Sequence, residues 1–138
     1  MATVPLLDDD AAAPEAAAVF ADIRAARNSD FVNNFWRALA SDPALLAATW
    51  ARLKTVMAPR DGGLDPLTKE LIYVAVSIAN GCAYCIHSHT AAARAKGMTD
   101  AQHGELLAVV AMASQTNALA TALAVPVDPI FEVQPSSS

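Results

Sequence analysis

Signals that begin and end helices punctuate the middle of the chain, and they constrain the fold more than any other feature. Asp65 followed by Pro66 is a helix start, because aspartate suits the N-cap and proline suits the first helical position. Gly81 ends that helix, since glycine adopts the left-handed conformation without strain. A second helix then begins near Cys82 and stops at Gly97. The sequence therefore predicts two helices joined by a tight turn, which form an antiparallel hairpin.

The rest of the chain carries the same kind of signal. Hydrophobic residues make up 54% of the sequence, there are only five glycines, and runs of strand-forming residues are scarce. Because helix-favouring residues dominate, we predict an all-α fold of about six to seven helices around the hairpin. Outside the hairpin, helices are predicted from Pro14 to about Arg27, through Phe31, Phe35, Trp36 and Leu39, from Pro43 to about Met57, and from a capping-box segment at Thr99–Gln102, with 117–125 continuing it or forming a seventh helix.

Length and patterning set the expected organisation. At 138 residues we predict one domain spanning 1–138, with an irregular arm over 1–13 and an irregular, proline-interrupted tail over 126–138. Several helices are apolar almost all the way round, and a chain this short buries only about two-thirds of its unfolded surface by itself. We therefore predict a homo-oligomer that covers the alanine-rich helix faces.

Charge and apolar patterning disfavour some partners and locations. The net charge is −5 and the pI is near 4.9, which argues against nucleic acid or an anionic membrane as the main partner. The segments 71–93 and 106–127 are long enough to raise the question of a membrane span, but polar residues interrupt both. Asp8, Asp9 and Asp10 stand where a signal peptide would be apolar, so we expect a cytoplasmic protein.

The reactive side chains concentrate in the hairpin. Cys82 and Cys85 are the only cysteines, and His89 and Glu70 lie on the two predicted helices. Cys85 lies three residues after Cys82 and four before His89, so these three share one helix face. If that face turns toward the other helix, Glu70 can orient His89, and His89 can take the thiol proton. The dipole of the first helical turn favours a thiolate there, which suits peroxide reduction or disulfide exchange.

Other interpretations of the same residues stay open. A Cys-x-x-Cys pair is also half of a zinc site, but the other half would be His87 and His89, which point to different sides of the helix. Haem attachment is excluded because Ile86, and not a histidine, follows the second cysteine. The cysteines also fit buried core thiols, Glu70 fits a carboxylate favoured by the helix dipole, and His89 fits a hydrogen-bonded core histidine. His87 lies off the shared face, where we expect a surface or interface role.

In its combined spacing this segment resembles the carboxymuconolactone decarboxylase superfamily, in its alkylhydroperoxidase D-like branch. The family pattern is a glutamate, eleven residues, Cys-x-x-Cys, three residues and a histidine. Glu70, Cys82, Cys85 and His89 match every fixed position. The resemblance covers roughly residues 61–113, and the four-residue spacing is far more specific than the cysteine pair alone.

The resemblance implies an all-α fold, usually assembled as trimers or hexamers, with thiol peroxidase activity. Carried over by position, Cys85 would be the peroxidatic cysteine, with its proton drawn through His89 and Glu70, and Cys82 would resolve the sulfenic acid. The substrate would be a hydroperoxide and the reductant a dihydrolipoamide or a thioredoxin-like dithiol. We expect neither a cofactor nor a metal ion. Tyr84 is a departure, since some peroxidase members have a histidine there.

Two further functions remain as hypotheses. A decarboxylase-like or isomerase-like enzyme would use His89 and Glu70 for acid–base work on a small organic acid and would not need the cysteines. A non-enzymatic thiol sensor would change its assembly on oxidation. The presence of the Cys-x-x-Cys pair favours the redox branch.

Overall fold

The structure is a computed structural model that describes residues 1–132. Over that range the chain is all-helical, as predicted, with six α-helices, one short 3-10 turn and no strand. The described chain divides into two compact units, Met1–Ala58 and, from Pro59 onward, a second one. The helices are α1 (Pro14–Arg27), α2 (Asn34–Leu39), α3 (Pro43–Met57), α4 (Pro66–Ala79), α5 (Ala83–Ala95) and α6 (Asp100–Ala122).

Side-chain caps start the helices at the predicted positions. The Asp42 carboxylate accepts from the backbone N–H of Leu45 at 3.0 Å, and Asp65 caps α4 in the same way. Thr99 and Gln102 form the predicted capping box at the start of α6. These contacts satisfy backbone donors that the first turn of a helix leaves unpaired.

The structure corrects the predicted start of the second helix and decides between a longer sixth helix and a separate seventh helix. The second helix begins at Asn34, so Phe31 precedes it and is 68% exposed; its N–H binds the Ser29 hydroxyl instead of a helical carbonyl. The segment 117–125 does not form a seventh helix, because α6 continues to Ala122. The Thr116 hydroxyl bonds back to carbonyls of the preceding turn, so this polar position leaves the helix unbroken.

The N-terminal unit is built around an aromatic core. The rings of Trp36 and Trp50 pack edge to face at 5.3 Å between centroids. The Trp50 indole N–H donates to Asp22 at 2.6 Å, which satisfies a polar group that burial would otherwise penalise. The buried residues of this core are Ala16, Phe20, Ile23, Val32, Trp36, Ala40, Leu46 and Trp50.

The second unit is built around the hairpin of α4 and α5, with α6 packed against α4. Gly81 closes the hairpin with φ of +66°, the left-handed conformation predicted for it. On α4 the buried residues are Glu70, Val74 and Ser77, which recur every three or four positions and so form one face. Contacts from the start of α4 to the end of α5 show that the two helices run antiparallel.

The expectation of one domain over 1–138 stays a prediction. In the predicted tail, Pro129–Phe131 forms a single 3-10 turn, and the part over 133–138 lies outside the described residues. Among the described helices, none combines the length and the apolar character that crossing a membrane requires.

Candidate active site

The centre of the site is a hydrogen bond between the two helices of the hairpin. Nδ1 of His89 on α5 lies 2.7 Å from Oε2 of Glu70 on α4. The Glu70 side chain is only 6% exposed and that of His89 is 18% exposed. An ionised carboxylate only accepts hydrogen bonds, so Nδ1 carries the hydrogen and Nε2 is left as the basic nitrogen. This is the contact that the spacing of the two residues predicts.

The other oxygen of the same carboxylate has its own partner. Nζ of Lys96 donates to Oε1 of Glu70 at 2.9 Å. Lys96 is the residue that caps the end of α5, and its side chain is 40% exposed. Glu70 is therefore a buried carboxylate with a donor on each oxygen.

These partners decide the ionisation of Glu70. Burial alone would raise the pKa of this carboxyl, but the hydrogen bonds from His89 and Lys96, with the charge of Lys96, outweigh burial and hold the pKa below its ordinary value. The group is an anion at neutral pH although it lies inside the hairpin. A buried charge of this kind is tolerated only when it is paired.

Tyr73 packs flat on the imidazole. The rings of Tyr73 and His89 stack with centroids 3.5 Å apart and planes 16° from parallel. Burial raises the pKa of Tyr73, and the negative charges of Cys85, Glu70 and Cys82 raise it further. The phenol therefore stays neutral and lies within electrostatic range of both cysteines and the carboxylate. His89 is held in its plane by Glu70 and on one face by Tyr73.

The two cysteines lie together at the start of α5, and both are free thiols. Cys82 is the N-cap residue, and its sulfur accepts from the backbone N–H of Cys85 at 3.4 Å. The backbone N–H of Cys82 donates to the Ser77 carbonyl at 2.9 Å, which ties the turn to the end of α4. Cys85 lies one turn before His89 on the same helix.

The two thiols are electrostatically unequal. Hydrogen bonds from the Cys85 side chain and backbone lower the pKa of Cys82. Burial, together with the hydrogen bond to Cys82 and its negative charge, raises the pKa of Cys85 to about 11. In the reduced pair the thiolate therefore forms first on Cys82, and the proton stays on Cys85.

Sequence reasoning named four residues of this site, and the structure joins Glu70 to His89 and Cys82 to Cys85 by hydrogen bonds. It missed Lys96 and Tyr73. Both had a signal in the helical period, because Lys96 lies seven residues after His89 and Tyr73 lies three residues after Glu70.

The structure also shows the surroundings of the other residues that the sequence singled out. His87 is exposed, as expected for a residue off the shared face. Within residues 1–132, no three histidine, cysteine, aspartate or glutamate side chains converge as a metal site requires. Tyr84, which lies between the two cysteines, is 41% exposed.

Comparison with known proteins shows the family of the chain. The sequence profile of the carboxymuconolactone decarboxylase family matches residues 43–128. The alkyl hydroperoxide reductase AhpD of Solibacter usitatus is 36% identical over 115 residues, which cover 82% of this chain and 62% of that protein. Uncharacterized protein 4 in the cox locus of Paracoccus denitrificans is 41% identical over 92 residues, which cover 66% of this chain and 78% of that protein. The chain belongs to the carboxymuconolactone decarboxylase family.

A solved structure extends the likeness to the whole fold. The crystal structure of the alkylhydroperoxidase AhpD core from Rhodospirillum rubrum has 65% sequence identity and a TM-score of 0.92, and the match covers 97% of this chain and 99% of that one. The predicted family and the predicted all-α, alkylhydroperoxidase D-like fold are therefore confirmed. The chain spans 62% of the length of the Solibacter usitatus relative.

Proposed function

We propose that the protein is a thiol peroxidase that reduces hydroperoxides through a dithiol–disulfide cycle of Cys82 and Cys85, with Glu70 and His89 as the proton relay. The observation that carries the proposal is the 2.7 Å hydrogen bond that orients the imidazole of His89 one turn after Cys85. The relatives named alkyl hydroperoxide reductase and alkylhydroperoxidase support the same chemistry.

The proposed cycle begins at Cys85. His89 takes the thiol proton, and the thiolate attacks the terminal oxygen of the hydroperoxide. A sulfur–oxygen bond forms, the oxygen–oxygen bond breaks, and the departing alkoxide takes a proton to become an alcohol. Cys82 then attacks the sulfenic sulfur, a disulfide forms and water leaves. An external dithiol supplies the two electrons that restore the reduced pair.

The electrostatics explain why Cys85 needs a base. With a pKa raised to about 11, this thiol is almost entirely protonated at neutral pH. His89 is the neighbour that can accept the proton, and its Nε2 is the nitrogen not engaged by Glu70. Cys82, whose pKa is lowered, is by contrast ready as a thiolate to attack the sulfenic acid. Because His89 follows Cys85 by one helical turn, and because the family resemblance gives the same order, we assign peroxide attack to Cys85 and resolution to Cys82.

The proposal includes the reductant and the compartment. A dihydrolipoamide or a thioredoxin-like dithiol would attack the disulfide at Cys82, which lies in the turn that opens α5. A cytoplasmic location fits because a reducing compartment returns the pair to the dithiol between turnovers.

A homo-oligomer, a trimer or a hexamer, also belongs to the proposal. Every residue from 111 to 122 is exposed, although seven of these twelve residues are Ala, Met or Leu; Met112 is 59% and Leu119 is 53% exposed. An apolar helix surface of this extent is typical of an interface between chains. Light scattering after size exclusion should give an oligomer for the native chain and a smaller species for Leu119→Glu. A monomeric native chain at micromolar concentration would contradict the assembly.

The test of the peroxidase function uses pre-reduced protein, cumene hydroperoxide and a recycling dithiol. We expect steady peroxide loss, abolished in Cys85→Ser. In the absence of the recycling dithiol, Cys82→Ser should consume no more than one equivalent of peroxide, because the sulfenic acid on Cys85 then has no thiol to resolve it. If Cys85→Ser turns over like the native protein, the assignment of the attacking thiol is wrong, and if the native protein leaves peroxide intact, the function is wrong.

The acid–base alternative rests on the same Glu70–His89 pair and on the family to which the chain belongs. The double replacement of Cys82 and Cys85 by serine separates the two functions. A decarboxylase-like reaction on a small organic acid would survive in that variant, whereas peroxide reduction would vanish.

A further inference from the structure

Lys96 reaches the relay from the far end of α5. It follows His89 by seven residues, which is two helical turns, so both side chains project toward α4. Its backbone N–H donates to the carbonyls of Ala92 and Ala93, which fixes the position from which the side chain extends. Its ammonium lies 2.9 Å from Oε1 of Glu70.

The two oxygens of the Glu70 carboxylate thus each accept a hydrogen bond from a different side chain. Oε1 receives the ammonium and Oε2 receives the imidazole, and the chain supplies both donors from one face of one helix. If Oε1 had no cation, the buried carboxylate would be free to rotate and would take up a proton more readily. In either event the imidazole would lose its fixed acceptor.

We propose that Lys96 is a positioning residue of the relay, which keeps Glu70 as an oriented anion and so keeps Nδ1 of His89 hydrogen-bonded to it, with Nε2 available as the base. The inference rests on the proposed function for its catalytic consequence, but the geometric role of Lys96 in the pair is measurable without catalysis. Lys96 itself does not contact the reacting sulfur; it acts through Glu70.

Among the ionisable groups that the structure describes near Glu70, Lys96 is the one that supplies a cation to the carboxylate. On α5 the charged or titratable partners of the carboxylate are His89 and Lys96, and on α4 Tyr73 lies within electrostatic range. Helix α6 packs on α4 and carries Asp100, His103 and Glu105 in its first turns. Asp100 binds Arg94. Within residues 1–132, neither His103 nor Glu105 forms a hydrogen bond with Glu70.

The test compares Lys96→Met, Lys96→Arg and Arg94→Met. Methionine keeps the length of the side chain without its charge, and arginine restores the charge. Arg94 is the matched control, since it is another cation in the last turn of α5 but binds the exposed Asp100, at 2.9 Å. Any loss that comes only from the helix dipole would appear in Arg94→Met as well.

The first readout is the pH dependence of peroxide consumption. Without the ammonium, the Glu70–His89 pair takes up its next proton more easily. The low-pH side of the curve of rate against pH, its acid limb, should therefore move to higher pH by about one unit in Lys96→Met. Lys96→Arg should return the limb to within a few tenths of a unit of the native position, and Arg94→Met should leave it in place. An unmoved limb in Lys96→Met would overturn the proposal.

The second readout is the nitrogen NMR signal of the His89 ring in the reduced protein, which needs no peroxide. The native ring should show one fixed tautomer with hydrogen on Nδ1 and a bare Nε2, whereas Lys96→Met should show a mixture of the two tautomers because Glu70 is no longer held in place. If this tautomer mixture appears in Lys96→Met while native protein leaves peroxide intact, the role of Lys96 stands and the peroxidase function fails. If peroxide is consumed and neither readout moves, the role of Lys96 fails alone.

Discussion

Replacing Glu70 by glutamine tests the relay with the smallest possible change. The amide has the shape of the carboxylate but one acceptor oxygen instead of two, and it has no charge. His89 and Lys96 both donate to the carboxylate, at 2.7 and 2.9 Å, so the amide can satisfy only one of them. The other donor then meets an NH₂ group or turns away.

The cost in stability follows from that mismatch. Losing one charge-assisted hydrogen bond costs about 1.5 to 3 kcal/mol. Lys96 is 40% exposed and can turn toward water, so we expect the low end, about 1.5 kcal/mol, in the free energy of unfolding by urea. The control is Glu105→Gln, the same chemical change at an exposed position of α6, which should be within about 0.5 kcal/mol of native.

The cost in activity should be larger. A positioned proton acceptor contributes about 10²- to 10⁴-fold to a rate, and glutamine can present either its oxygen or its NH₂ to the imidazole, which undoes the fixed tautomer. We therefore expect at least a hundredfold slower peroxide loss for Glu70→Gln, with Glu105→Gln unchanged. A Glu70→Gln protein that is folded and works within threefold of native would refute the relay.

The same pair of proteins gives a pH dependence with a definite sign. Because the pKa of Glu70 is lower in the folded chain than its ordinary value of 4.5, the carboxylate stabilises the fold above that value. This stabilisation is lost as the pH falls through the folded pKa. The stability difference between native protein and Glu70→Gln should therefore be largest at neutral pH and shrink below about pH 4.5. A constant difference across this range would contradict the paired state of Glu70.

Three further predictions concern packing, backbone and thiol reactivity. Tyr73→Phe should keep peroxide consumption within about threefold of native because the stacking on the imidazole remains, whereas Tyr73→Leu should lose about tenfold or more; equal rates would argue against the stack. Gly81→Ala should lower the free energy of unfolding by about 1 kcal/mol because φ is +66°, while the helical Gly104→Ala should raise it by about 0.5 to 1 kcal/mol; the same sign in both would contradict the turn. Iodoacetamide at neutral pH should label Cys82 before Cys85, since the pKa values of the two thiols are shifted in opposite directions; equal labelling would contradict that order.

Local signals were enough to predict most of the fold. Asp42 and Asp65 act over three residues, and Gly81 acts through its own backbone angle, so each can be recognised without knowing the tertiary structure. The start of α2 was misplaced because Phe31 looked like part of a periodic apolar face. Its backbone is held instead by the Ser29 hydroxyl, a contact that periodicity does not encode.

Some residues of the site could likewise be predicted from local sequence signals, and others could not. Cys82, Cys85 and His89 share a face by their spacing, and Glu70 followed from the position of the turn. Lys96 and Tyr73 were not predicted, because a lysine near a helix end and a tyrosine in an apolar run have ordinary structural roles. Only the contact between the two helices shows that one binds the carboxylate and the other stacks on the imidazole.

The most direct measurement of the central claim is a single turnover. Pre-reduced protein, freed of excess reductant, receives about one equivalent of cumene hydroperoxide and is then analysed by intact mass and peptide mapping. We predict the loss of two hydrogen atoms and a bridge between Cys82 and Cys85, formed as the peroxide is consumed. Peroxide that survives beside two reduced thiols would contradict the dithiol cycle and would turn attention to Glu70 and His89 as an acid–base pair.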